Sequence, residues 1–427
     1  MPPVHVLVIG YVWPEPASSA ASGHIMQLLH SFLAQGWTIT FASPAGPGEH
    51  KADLAALGIA EQPIELNNAS FDHFITRLQP DIVLFERFMM EEQFGWRVEQ
   101  HCPNAIRVLE TSDLQSLRDA RQELLKARLK QGDTEDDFGE LFQTPPPRLF
   151  EHMSGADITQ REVASIYRCD LSLIISPFEA QLLTDCFAVP AALLHDCPLM
   201  VDLPVAAPLP LAQRRHFMCI GNFRHAPNWD AVLWLKQQLW PLIRARLPRA
   251  QLHVYGAYTP PKATALHNPA QGFHVRGWVP DALQVIGQAR VALAPLRFGA
   301  GIKGKLLDAM ICGTPSVTTP VGAEGMRCDG QWPGAVASSA SALAEAAVAL
   351  HEDDALWHAA QARAQDCLSA GFAFQVHACT LTQRLAALRE NLSAHRANNF
   401  TGAMLRHHQH KSTRYLAQWI EAKSKLV

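Results

Sequence analysis

The sequence is most informative first in what it lacks. Its nine cysteines (Cys102, Cys169, Cys186, Cys197, Cys219, Cys312, Cys328, Cys367 and Cys379) are odd in number and never fall as Cys-x-x-Cys. That argues against a zinc knuckle or a disulfide framework and for a reducing compartment. No stretch approaches the roughly 18 uninterrupted apolar residues of a membrane-crossing helix. The opening MPPVHVLVIG has no basic run before its single short apolar segment. A cytoplasmic chain, neither secreted nor membrane-spanning, is the expectation. Charge of one sign is missing too: 36 Lys plus Arg stand against 40 Asp plus Glu, a net −4. This is too balanced for a nucleic-acid coat, so no nucleic-acid partner is expected. His407, His408 and His410 have no acidic or cysteine ligand beside them and read as a solvated tail, so no metal site is expected.

What is present is a large core. Hydrophobic residues make up 48% of 427, enough for two to three domains at about 150 residues each. Val4 to Gly10 is a β-branched strand followed by a loop and the helical GHIMQLLHSFLAQG. Gly36–Ser43, Asp81–Arg87, Asn104–Thr111 and Asp170–Ser176 repeat the apolar run with helical or irregular segments between. After the Pro-rich VDLPVAAPLP the pattern restarts at His216–Phe223. It continues through Ala250–Gly256, Phe273–Val279, Arg290–Arg297, Thr314–Gly322 and Gly334–Ser339. Near-continuous apolar strands alternating with helices indicate parallel sheets covered on both faces.

The chain therefore divides into an N-terminal Rossmann-like unit (1–200), a second (211–373) and C-terminal helices (374–427) expected to pack back across both. Residues 117–150 are charge-dense and end in LFQTPPPRLF, suiting either a lid insertion or a solvated helical hairpin. Near the C-terminus, Tyr415, Trp419 and Ile420 share a helical face, with Lys411, Arg414, Lys423 and Lys425 supplying charge. Such a helix docks on the protein or makes peripheral contact with an anionic membrane face.

The segment Ala294–Met326, APLRFGAGIKGKLLDAMICGTPSVTTPVGAEGM, carries the chemistry. Gly299, Ala300 and Gly301 let backbone approach an anion, and a helix N-terminus follows them. With a start near Ile302, Gly301, Lys305 and Asp308 share one face. Lys303 or Lys305 would neutralise a diphosphate while Asp308 accepts hydrogen bonds from ribose hydroxyls. Arg297 and Arg224 are further cations for this pocket. The plain alternative is a packed turn with a Lys305–Asp308 surface pair.

This segment resembles the signature of retaining glycosyltransferases of family 4, whose GT-B fold sets two Rossmann-like domains face to face across the active site. Asp308-Ala-Met-Ile-Cys-Gly313-Thr-Pro315 matches the context of that family's second, ribose-binding acid, and Ala300 stands where its first acid would be. Cys219–Ala231, CIGNFRHAPNWDA, and Arg161–Leu183 are similar to other elements of the family. The resemblance implies α/β architecture and an EC 2.4 enzyme of polysaccharide biosynthesis. Such an enzyme moves a sugar from a nucleotide diphosphate sugar to a glycan, lipid-linked or protein-linked hydroxyl with retention, without metal or other cofactor. No Asp-x-Asp, the metal motif of the other glycosyltransferase fold, occurs.

On the acceptor side, the resemblance places Ser22, Gly23 and His24 at the cleft border, although a His in a first helical turn also serves structure. Glu110 or Asp113 occupies the place of a histidine beside the donor sugar. Either carboxylate would stabilise positive charge or orient the acceptor, and Asp113 is equally suited to capping a helix. Glu86 and Arg87 form another pair at the cleft edge, or a mere ion pair. Lys305 is the expected clamp on the leaving diphosphate. A nucleotide-sugar epimerase or hydrolase on the same fold, or an inactive sugar-nucleotide-binding scaffold, are the alternative functions.

Overall fold

The structure is a computed structural model that describes residues 4–130, 138–328, 330–407 and 411–424. His408, His410 and Lys425, and part of the expected lid, lie outside the described residues. The first sheet joins β1 (His5–Ile9), β2 (Thr38–Ser43), β3 (Ala60–Pro63), β4 (Ile82–Glu86), β5 (Ile106–Glu110), β6 (Leu171–Ile174) and β7 (Leu194–Asp196). Their order is β3-β2-β1-β4-β5-β6-β7, and every pairing is parallel. The second sheet comprises β8 (Phe217–Ile220), β9 (Leu252–Tyr255), β10 (Phe273–Gly277), β11 (Val291–Ala294), β12 (Ser316–Thr318) and β13 (Gly334–Val336). It is also parallel, ordered β10-β9-β8-β11-β12-β13. This is the doubly wound arrangement expected from the repeating apolar runs. The runs missed β3 and β7 for a physical reason: each lies at a sheet edge, β3 reads AEQP and β7 only LHD, and neither buries a residue fully.

Crossover helices put apolar stripes on the sheets. In Ala20–Leu33, the Ser19 hydroxyl caps the N-terminus by accepting the Ser22 N–H at 3.2 Å. Ile25, Leu28, Leu29 and Phe32 recur at helical spacing and are buried against Val6, Val8 and Phe41. The long helix Phe374–Ala397 crosses back to the first sheet, where Ala378, Leu381, Leu385 and Leu388 join the same cluster. Arg396 fixes its end by donating to both oxygens of Asp170 at 2.8 Å. The helix Lys411–Ser424 buries Ala417 and leaves Tyr415 and Trp419 exposed.

The charge-dense segment after β5 is neither a free lid nor a solvated hairpin in its described part. The helix Gln115–Lys130 buries Leu125, and Phe138 lies 3% exposed, both within the core of the second domain beside Trp234 and Phe223. The Phe138 N–H donates to the Ser338 carbonyl at 3.1 Å. A strap from the first domain thus plugs the second, while residues 131–137 of it lie outside the described residues. One cysteine pair forms that the spacing did not suggest: Cys328 and Cys367, 39 residues apart, are paired as a disulfide, and the other seven are free. Spacing alone carries no trace of it, because the pair joins a loop to a helix packed beneath that loop.

Candidate active site

Between the carboxyl ends of the two sheets lies a cleft of about 600 Å³ lined by both domains. Ligands of open α/β sheets bind at this end, where loops splay from the strands. Its second-domain wall is the loop after β11 and the helix Gly304–Ile311, which starts two residues later than the expected Ile302. Lys303 occupies the N-cap, and the N–H groups of Gly304 and Lys305 find no acceptor among the described residues. Gly304 explains how close the walls come: a Cβ there would lie 2.5 Å from that of Ala20. Gly301, at φ +65, packs against Asp113, whose Cβ would be 2.9 Å from an added one.

The predicted donor residues separate into two groups. Gly299, Ala300, Lys303, Lys305, Asp308 and Arg224 all line the cleft. Lys305 donates to Asn228 Oδ1 at 2.6 Å, and burial lowers its pKa. Asp308 has no hydrogen-bond or ion-pair partner for its carboxylate among the described residues, and burial pushes its pKa up to about 7. Lys305 and Asp308 are therefore not the surface ion pair of the plain alternative. Arg224 lies with its guanidinium 3.6 Å from the Tyr258 ring centroid. Lys303 is turned inward, donating to the Gly301 carbonyl at 2.5 Å, so it shapes the loop.

Two donor expectations are corrected. Arg297 is not among the lining residues: it grips Asp230 with both arms at 2.9 and 2.6 Å and lies over Phe138 and Trp234. It anchors the strap rather than facing the cleft. Gly301 does not line the cleft either, and its N–H is taken by Glu179 Oε1 at 2.8 Å.

On the first-domain wall, Ser22, Gly23, His24 and Asp113 line the cleft, while Glu86 and Glu110 do not. Glu110 is wholly buried behind it, accepting from the Ser112 N–H and hydroxyl, both at 2.8 Å, and holding His24 Nδ1 at 3.2 Å. The other nitrogen of His24 faces Cys197 Sγ at 3.8 Å, so the ring is held from both sides. Glu110 therefore lies behind the cleft wall and does not line it. Glu86, paired in register with Glu110, accepts the Tyr11 N–H at 2.8 Å. Burial, more than the opposing Arg87 charge can offset, raises its pKa to about 7.

The capping reading of Asp113 is resolved by its neighbours. The helix Gln115–Lys130 is capped instead by Glu162, which accepts the N–H groups of Gln115 and Ser116 at 2.9 and 3.1 Å, and Glu179 takes that of Leu114. Asp113 pairs with Arg118; burial alone would raise its pKa, but that cation, with smaller help from His225 and Arg87, outweighs it and the pKa is lowered. An ionised carboxylate thus faces the cleft.

Several contributors escaped the sequence reading. Arg121 donates to the Gly299 carbonyl at 2.8 Å and grips Glu324 bidentately, a contact 203 residues away in the chain with no local signal. Tyr258 donates to Glu15 at 2.7 Å, and His50 stacks on Trp278 at 3.9 Å, both across the cleft mouth. Asn228 had a signal: it follows Pro227 in the first turn of the helix after β8, at the strand end beside the glycine loop.

Comparison with known proteins bears on the fold that frames this cleft. Residues 214–353 match the family model described as glycosyl transferases group 1. No curated protein matches the chain in sequence. Among solved structures, a glycosyltransferase from Rickettsia africae ESF-5 is 12% identical, with 92% of this chain and 100% of that one covered at a TM-score of 0.64. The sucrose-phosphate synthase of Thermosynechococcus elongatus is 16% identical over 92% and 100%, also at 0.64. HepE of Anabaena, in complex with UDP and glucose, is 13% identical over 90% and 99%, at 0.65. At such identities the likeness is one of fold, and that fold is GT-B. The chain thus has the GT-B fold, and residues 214–353 of its second domain match the glycosyl transferases group 1 model.

Proposed function

We propose that this chain is a glycosyltransferase that moves a sugar from a nucleoside diphosphate sugar to a hydroxyl acceptor such as a glycan, with retention of anomeric configuration. The observation that carries the donor reading is Asp308. An unpartnered, half-buried carboxylate one turn beyond Lys305, in a cleft that also receives a helix N-terminus, suits a ribose diol beside a diphosphate. Lys305, Arg224 and the free N–H groups of Gly304 and Lys305 supply the positive charge that stabilises the leaving diphosphate. Asp113, ionised on the opposite wall, orients the acceptor hydroxyl or offsets charge developing at the anomeric carbon. His24, positioned by Glu110, borders the same space.

The test is calorimetric titration with nucleoside diphosphates, followed by NMR of the product's anomeric proton. Binding of none of them overturns the donor reading, and an inverted product overturns retention. The C-terminal helix adds a location to this reading. Its exposed Tyr415, Leu416 and Trp419, with Lys411, Arg414 and Lys423 alongside, suit peripheral contact with an anionic membrane face.

A further inference from the structure

Arg87 ends β4 in a backbone conformation that arginine rarely adopts. Its φ of 68° and ψ of 154° lie in a region populated almost only by glycine. The conformation is over-determined: the Arg87 N–H donates to the Glu110 carbonyl at 2.7 Å, the Met90 N–H donates to the Arg87 carbonyl at 3.1 Å, and the flanking Glu86 and Phe88 are buried. Glycine would hold this turn without strain, yet the chain carries there its longest cationic side chain.

Among the described residues that side chain has no hydrogen-bond or salt-bridge contact, and the carboxylates of Glu86 and Asp113 act on it only through longer-range electrostatics. Arg87 lines the cleft from the first-domain wall, and its Nε is buried with no hydrogen-bond partner. Neighbouring Glu86, which the sequence suggested as its ion pair, accepts the Tyr11 N–H and makes no salt-bridge contact with Arg87 among the described residues, although it feels that charge. The other cleft cations differ: Arg118 has Asp113, Lys305 has Asn228 and Lys303 has the Gly301 carbonyl. Among the described residues only Arg224, on the donor wall, likewise lacks a polar acceptor. The Tyr11 ring lies with its centroid 5.2 Å from the guanidinium, a cation–π contact that satisfies none of its N–H donors.

A buried, unsatisfied guanidinium donor is costly unless a ligand completes it. A planar fork of N–H groups fits a carboxylate or phosphate better than a neutral hydroxyl. We propose that Arg87 is the anion-reading residue of the acceptor subsite, and that the acceptor carries a carboxylate or phosphate near the hydroxyl that is glycosylated. This rests on the transferase reading above and narrows its acceptor class.

The experiment uses the full chain saturated with a nucleoside diphosphate and two matched probe pairs: methyl β-glucuronide against methyl β-glucoside, and glycerol 1-phosphate against glycerol. Thermal shift and calorimetry are expected to show binding of at least one charged member over its neutral twin, weakened about ten-fold or more in R87Q. Which pair responds separates a carboxylate source from a phosphate source. R87G supplies the independent readout. It relieves the backbone strain, so its melting temperature is expected to stay at or above that of the native chain while the charged probe is lost. Equal response to charged and neutral probes, including no response to any, overturns the proposal, as does R87Q weakening the diphosphate as much as the probe. Failure of the native chain to bind any nucleoside diphosphate overturns instead the donor reading beneath it.

Discussion

Glu179 of the first domain accepts the N–H of Gly301 in the second at 2.8 Å, while Arg121, also of the first, donates to the Gly299 carbonyl at the same distance. Ala300 is thereby held from both sides by residues of the opposite domain. The loop proposed to receive the donor diphosphate takes its shape only when the two domains are seated together.

Removing Arg121 is the direct check. The R121A variant leaves Glu324 half-buried without its bidentate partner, and an expected loss of about 2–4 kcal/mol in unfolding free energy follows. Nucleoside diphosphate affinity falls with it. A double-mutant cycle with E324Q is expected to give coupling of about 1 kcal/mol or more, and strict additivity would show that the grip carries no energy.

Asp308 predicts a pH signature of defined sign. Its folded pKa, raised by burial to about 7 from an unfolded value near 3.8, means the folded state binds the extra proton. Its contribution to stability is complete below the unfolded value and is lost as pH rises toward and through 7. The carboxylate that would accept ribose hydroxyls appears over the same window. In the native chain, nucleotide affinity should rise from pH 5.5 to about 8 while the ligand-free melting temperature falls relative to D308N. The variant is expected to bind about ten-fold to a hundred-fold more weakly at pH 8. Parallel melting curves for the two proteins across that range would remove the assignment.

Arg297 and Arg224 should behave oppositely despite their shared charge. R297A loses the Asp230 pair and the stacking on Phe138 and Trp234, an expected cost of about 1–3 kcal/mol, with diphosphate affinity within two-fold of native. R224A is expected to leave the melting temperature almost unchanged and weaken the diphosphate several-fold. Urea denaturation and calorimetry on both variants decide the matter.

Phe138 tests the strap. Truncation to alanine empties a buried aromatic site inside the second domain's core, at an expected cost of about 3–5 kcal/mol. Limited proteolysis should then cut between the helix Gln115–Lys130 and Phe138 faster than in the native chain. An unchanged cleavage rate and stability would mean the strap is not anchored there.

The C-terminal helix makes a separable prediction. Truncation after Phe400, or W419A with Y415A, is expected to reduce sedimentation with vesicles rich in anionic phospholipid, more so at low salt. Native sedimentation no greater than that of the truncated chain would remove membrane contact.

How much of the site could be read along the chain follows from how local each interaction is. Lys305 and Asp308 were legible because one turn of a single helix puts both beside a glycine loop. Arg297 misled because a cation near that loop says nothing about Asp230, 67 residues earlier. Glu110 was placed correctly at the end of β5, yet which way it faces depends on His24 and Ser112 behind it. Arg87 looked like half of an ion pair, yet the strand end sets Glu86 on the Tyr11 N–H and leaves no salt-bridge contact between the two among the described residues.

The sequence by itself determined the doubled parallel-sheet architecture, because β-branched runs and amphipathic helices encode their burial within a few residues. It also located the glycine loop proposed to receive phosphate, since glycines and a helix start are local features. Only the tertiary structure decided which charges are free to meet a substrate. A guanidinium or carboxylate is spent or available according to partners that arrive from distant parts of the chain. Here Arg121 is held by Glu324, Arg297 by Asp230 and Glu179 by Gly301, while Asp308 and Arg87 line the cleft without a salt-bridge contact among the described residues.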